Sequence, residues 1–191
     1  MKAGKSTFDF VLSIIKTQSA SAFKCYYNID ETSYMNGDQT MGKRNIKVGI
    51  SNDHSAVELK NSVMKHLQEE GYEVINYGTD STESYDYPLA ATALAKGIQN
   101  KEVDLGIAIC GTGVGISIAC NKHKGIRACC CSEATSARLT REHNDANIIC
   151  FGARIISTEL ANDIADTFLS TPFSNGERHK KRIAMIHEIE Q

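Results

Sequence analysis

The chain has 191 residues, 41% of them hydrophobic, a formal net charge of −2 and 7 cysteines. That length suits one domain with an ample core. The near-neutral charge, with no basic run and no aromatic platform, excludes a nucleic-acid surface. No apolar stretch approaches about 18 residues, so no membrane-spanning helix is expected. Phe10 to Ile15 is too short and too interrupted for a secretory segment. An odd cysteine count, with Cys129, Cys130 and Cys131 adjacent in a strand-like run and no CxxC pair, fits neither a disulfide framework nor a zinc site. Free thiols in a reducing compartment, the cytoplasm, are the expected state.

Residues 1–43 differ from the rest: they show no sustained period and are rich in Ser, Lys and Asn. They are expected to form a disordered extension, or an addition upstream of a natural start at Met41. Lys2, Lys5, Lys16 and Lys24 against Asp9 alone give residues 1–29 a faintly transit-like balance, but arginine is absent there. Residues 44–191 make the domain. Ile46 to Ile50 reads as a strand, Ser51-Asn52-Asp53-His54 as the turn after it, and the following residues to Glu70 as a helix. That helix has Leu59, Val63 and Leu67 on one face and Gly71 as its stop. Tyr72 to Tyr77 is the second strand, and Gly78 to Tyr87 a polar loop ending at Pro88. Leu89 to Ile98 is a helix, and Asp104 to Ile109 the strand feeding Cys110. A loop with glycine at alternate positions, Gly111-Thr112-Gly113-Val114-Gly115, leads into a helix from Ile116. Ile126 to Cys131 is a strand, Ser132 to Glu142 a helix, Ile148 to Phe151 a strand and Ser157 to Leu169 a helix. After Pro172, Arg178 to Glu190 makes a last helix. Five short apolar strands alternating with helices predict an α/β, Rossmann-like, doubly wound five-stranded parallel sheet with helices on both faces.

In such a sheet the loops at the strands' carboxyl ends form the ligand site. The polar residues that follow the strands and helices are Asp53 and His54, the Gly111–Gly115 loop, His143-Asn144-Asp145, and Gly152-Ala153-Arg154. Together they could line one opening that suits an anion and carries acid/base groups. Cys110 before a Gly loop and a helix start is marked as a reactive thiol rather than a core one. The loop is not a dinucleotide fingerprint, because Ile116 stands where GxGxxG needs glycine, and it is not Walker A, because no Lys-Ser/Thr follows. Cys129 to Cys131 alternate across a strand and read as core.

Ile109-Cys110-Gly-Thr-Gly-Val-Gly-Ile-Ser-Ile-Ala, Asn121-Lys, Gly125-Ile-Arg-Ala, Cys131-Ser-Glu, His143-Asn144-Asp145 and Phe151-Gly-Ala-Arg154 together resemble the type B ribose-5-phosphate isomerases. Asp53-His54, Asp86-Tyr87-Pro88 and the pair Arg178 and Arg182 are similar to that family's motifs too. The resemblance runs from Ile46 to Gln191 in unbroken order. It implies a metal-free, cofactor-free interconversion of ribose 5-phosphate and ribulose 5-phosphate through a cis-enediolate. Cys110 would be the base and Thr112 would help move protons between O1 and O2. His143, assisted by Asp53, would open the sugar ring. The amides of Gly111, Gly113, Val114 and Gly115 would form an anion hole. Asn144 would bind sugar hydroxyls and Tyr87 would line the pocket. His54, Arg154, Arg178 and Arg182 would hold the phosphate. The resemblance also implies a homodimer or homotetramer with each site shared. The last helix would reach to the partner, and His143, Asn144 and Arg154 would come from the chain opposite the one supplying Cys110. Asp53-His54-Ser55-Ala56 departs from the common Asp-His-Ala-Gly. Ile116 stands where one branch of the family has glutamate, which places this chain with the cysteine type, and His143 favours a five-carbon substrate. The alternatives are a six-carbon (allose or galactose) 6-phosphate isomerase, a non-catalytic sugar-phosphate-binding module, and a cysteine hydrolase.

Overall fold

The computed structural model describes residues 46–190; the expectations for residues 1–43 lie outside them. Five parallel strands are present: β1 (Lys47–Asn52), β2 (Glu73–Asn76), β3 (Leu105–Cys110), β4 (Ala128–Cys130) and β5 (Ile148–Gly152), in the order β2-β1-β3-β5-β4. Between and after them lie α1 (Val57–Glu69), α2 (Tyr87–Gln99), α3 (Val114–Cys120), α4 (Ala134–Asn144), α5 (Thr158–Ser170) and α6 (Glu177–Ile189). This is the expected Rossmann-like α/β sheet.

Both faces of the sheet are covered, as all-parallel strands require. On one face Leu59, Val63 and Leu67 of α1 and Ile164 and Phe168 of α5 pack against Val48, Ile50, Ile107, Ile109, Ile149 and Phe151. On the other, Ala90, Ala91 and Leu94 of α2 and Ile116 and Cys120 of α3 pack against Ala108, Cys110, Ile148 and Cys150. Each fully buried Leu, Ile or Phe contributes about 1.5–3 kcal/mol from burial, so two such layers hold the strand ends rigidly. Among the described residues no helix is long and apolar enough to cross a membrane.

Several boundaries differ from the expected ones for local reasons. Pro88 sits in the first turn of α2, where its missing N–H costs nothing, so the helix begins at Tyr87 rather than Leu89. α3 begins at Val114, inside the Gly loop, because Gly113 adopts φ +80° and acts as its N-cap. α4 runs on to Asn144, and Asp145 in the left-handed region (φ 44°) ends it. β4 is shorter than expected because Ile126 is bound into a turn, its amide donating to the His123 carbonyl at 3.1 Å.

The strand order places the reversal of winding between β1 and β3. The crevice at such a switch point, outside the carboxyl ends, is where ligands bind in open α/β sheets. Asp53 follows β1 there, and Cys110 ends β3.

Candidate active site

At the carboxyl edge, the Asp53 amide donates to the Ile109 carbonyl at 3.1 Å, which ties the first loop to the cysteine strand. Cys110 opposes Gly152 in the β3–β5 register and is 4% exposed. The pairing continues past the strands: the Ala153 amide donates to the Cys110 carbonyl at 2.9 Å, and the Arg154 amide to the Gly111 carbonyl at 3.0 Å. The Gly113 amide donates to Cys110 Sγ at 3.2 Å. This bond aims the thiol into the mouth of the Gly loop. Only glycine serves at position 113, since a Cβ there would lie 2.7 Å from the Phe151 carbonyl carbon on a positive-φ backbone. The Val114 amide is held by Thr112 Oγ1 at 3.3 Å.

Ser55, Arg154 and Tyr87 stand beside this loop. A Cβ at Gly111 would stand 3.4 Å from Ser55 Oγ and 3.5 Å from the Arg154 guanidinium, and one at Gly115 would stand 2.9 Å from the Tyr87 ring. Asp53 caps the short 3-10 turn His54–Ala56, and its Oδ1 accepts from the Ser55 amide (2.9 Å) and the Ser55 hydroxyl (2.6 Å). No described residue donates to its Oδ2. His54 Nδ1 lies 3.2 Å from both the amide and the carbonyl of Tyr85. A neutral ring accepts from that amide and a charged ring donates to that carbonyl. With Nδ1 accepting from that amide, the ring carries its proton on Nε2, where it can donate.

His143 and Asn144 are not on this edge. They form the last turn of α4, ahead of β5, and so lie at the amino edge of the sheet. The expectation that all the polar residues line one opening is therefore corrected for a single chain: helix ends that precede strands point the opposite way from strand ends. Arg154 is corrected in the other direction, since its guanidinium sits beside Gly111 of its own chain. At the amino edge, Arg141 donates to Asp145 Oδ1 (2.7 Å) and the Ala146 carbonyl (2.6 Å), and Arg127 to Asp145 Oδ2 (3.2 Å) and its carbonyl (2.6 Å). A cleft of about 410 Å³ nearby is lined by Asp104, Arg127, Arg141 and Asp145 among others. With its arginines committed to Asp145, it reads as a structural ion-pair knot.

Sequence reasoning missed His179. Its ring, 5% exposed, lies 4.5 Å centroid to centroid from the His143 ring. Arg178 Nε donates to its Nε2 at 3.0 Å, so the ring proton is on Nδ1 and goes to Ser174 Oγ at 2.8 Å. Burial holds its pKa below the ordinary value, and the neighbouring charges of His143, Arg178 and Arg182 add to the shift. The His179 ring thus stands against His143 and accepts from exposed Arg178. A histidine flanked by Arg178 and Lys180 gives no sequence signal of burial. Among the described residues no three His, Cys, Asp or Glu side chains gather as a metal ion would need.

The sequence model of the Ribose/Galactose Isomerase family matches residues 48–186. The chain belongs to this family. Ribose-5-phosphate isomerase B of Escherichia coli is 49% identical over 145 residues, covering 76% of this chain and 97% of that protein. The ribose-5-phosphate isomerase B structure from Clostridium thermocellum superposes with a TM-score of 0.74 at 48% identity, covering 76% of this chain and 97% of that one. The ribose 5-phosphate isomerase from Thermotoga maritima gives 0.73 at 50%, covering 75% and 98%. The chain thus spans 97–98% of the length of these three relatives, with one group of candidate site residues at each edge of the sheet.

Proposed function

We propose that this isomerase interconverts ribose 5-phosphate and ribulose 5-phosphate through a cis-enediolate, with Cys110 as the base that moves the proton between C2 and C1. The observation that carries the reading is the nearly buried Cys110 thiol, oriented by the Gly113 amide at the lip of a glycine loop. Since Gly113 and Val114 already use their amides on Cys110 and Thr112, the enediolate oxygen falls to the amides of Gly111, Thr112 and Gly115. Thr112, exposed at the mouth, relays protons between O1 and O2. Asp53 Oδ2, which takes no hydrogen bond from the described residues, accepts from the sugar during ring opening. Tyr87 walls the pocket, and His54 and Arg154 take the phosphate from this side.

His143, Asn144, Arg178 and Arg182 complete the site from a second copy: His143 opens the ring, Asn144 binds sugar hydroxyls and the arginines close on the phosphate. Two features support a two-chain site: the groups occupy opposite edges of one sheet, and each is bordered by exposed apolar residues. Val114 and Ile155 border the first, Met185 and Ile186 the second. A reaction that needs a reduced Cys110 suits the cytoplasm.

The test uses the full chain with EDTA present, following ribulose 5-phosphate from ribose 5-phosphate. Cys110→Ala and His143→Ala should each be inactive alone. Mixed after unfolding and refolding, they should recover about a quarter of wild-type activity, since half the dimers would be mixed and each would carry one intact site. No recovery would refute the shared site. A wild-type chain active only on allose or galactose 6-phosphate would refute the five-carbon substrate.

A further inference from the structure

Among the described charged residues, Lys60 on α1 alone has no exposure at all. Its ammonium meets the carboxylate of Asp80, a side chain that is 75% exposed on the loop between β2 and α2. The Lys60 hydrogen bond and charge hold the Asp80 carboxyl below its ordinary value. A buried ammonium needs a partner, so Lys60 grips the start of this loop. Asn76 Nδ2 donates to the same Asp80 oxygen at 3.1 Å, and Asn52 Nδ2 to the Thr79 carbonyl at 3.1 Å. Just beyond, the loop bonds to itself, Ser81 N to Thr79 Oγ1 and Glu83 N to Ser81 Oγ, both at 3.0 Å. It next ties to the body at Tyr85, whose amide donates to His54 Nδ1. Lys60 and His54 are on one continuous segment, so the same two stretches of chain are joined at both points.

We propose that Lys60 is a positioning residue for phosphate capture: through Asp80 it fixes the β2–α2 loop against the segment carrying His54, so that the Tyr85 peptide holds the imidazole with Nε2–H facing the ligand. This rests on His54 being a phosphate ligand. Lys60 acts on binding and leaves the proton transfers at Cys110 untouched.

The experiment uses the full chain. Asp80→Asn should raise KM for ribose 5-phosphate and the calorimetric Kd for inorganic phosphate together, about fivefold, with kcat within about twofold of wild type. Asp80→Glu, which keeps the ion pair, should restore both. Because Asp80→Asn also strands a buried charge, the double variant Lys60→Met/Asp80→Asn separates stability from positioning. It should recover Tm and still show the raised KM and Kd. Unchanged KM in Asp80→Asn, or a double variant that recovers KM together with Tm, would overturn the inference while an active wild type keeps the functional reading. A wild type inert to both ribose 5-phosphate and phosphate would overturn both.

Discussion

Replacing Gly152 by alanine tests whether the spacing of the glycine loop sets the rate. A Cβ at this position would lie 2.5 Å from the Thr112 carbonyl carbon, 2.6 Å from Thr112 Cα and 2.7 Å from Ile155 Cγ1. The exposed Ile155 side chain can rotate away; the Thr112 backbone must retreat. Carbon atoms in ordinary contact stand about 3.5 Å apart, so the retreat is about 1 Å. Thr112 belongs to the stretch assigned to the enediolate oxygen, and a misplacement of that size costs about 100-fold in rate. The overpacking itself costs about 1–3 kcal/mol of stability. Gly152→Ala should therefore fold, melt a few degrees lower and lose about 100-fold in kcat on ribose 5-phosphate. Gly125→Ala is the matched control. Its φ of +77° strains any side chain, but nothing lies within 4 Å of the new Cβ. It should cost about 1 kcal/mol and leave kcat unchanged. Steady-state kinetics and thermal melts of both proteins decide the matter. A Gly152→Ala enzyme within threefold of wild-type kcat, or a Gly125→Ala enzyme equally slow, would refute the reasoning.

Arg182→Ala should raise KM for ribose 5-phosphate by about 10–100-fold, the loss of one charge-assisted bond to phosphate, while the melting temperature stays put because the side chain is exposed. For His179, burial favours the neutral ring in the folded chain, so the unfolded chain binds the proton more readily. Its contribution to stability is thus complete above pH 6.5 and shrinks as pH falls below that value. Melts between pH 7.5 and pH 5 should show a steeper decline for wild type than for His179→Asn; parallel curves would discard that assignment. The same variant should slow catalysis through His143 and spare Cys110, so proton exchange at C1 of ribulose 5-phosphate should persist when ribose 5-phosphate turnover falls.

The sheet was legible because its strands are apolar runs of the right length and its helices carry stripes such as Leu59, Val63 and Leu67. Boundaries slipped where one residue's backbone overruled composition: Gly113 starts α3 two residues early, and Asp145 lets α4 swallow His143 and Asn144. The carboxyl-edge group was readable from element order alone, since Asp53, Cys110 and Arg154 all follow strands. The same order argument sends His143 to the far edge, because it precedes a strand. Lys60 and His179 were invisible for a different reason. Charged and polar by type, they are buried only because Asp80 on one side, and Ser174 with Arg178 on the other, satisfy them across gaps that no periodicity records.

The position of β5 has a consequence for how the chain is made. β3 and β4 never pair with each other; the last strand synthesised slides between them. Until residues 148–152 leave the ribosome, β3 presents one open edge and β4 stands apart from the sheet, with Cys110 at the end of a strand paired only with β1. A nascent chain halted before Ile148 would expose one edge of β3 and both edges of β4, and the Cys110–Gly152 register that seats the glycine loop would not yet exist. The pairing beside Cys110 is therefore the last part of the sheet to close. Chaperone capture during synthesis should concentrate in the interval between emergence of β4 and of β5.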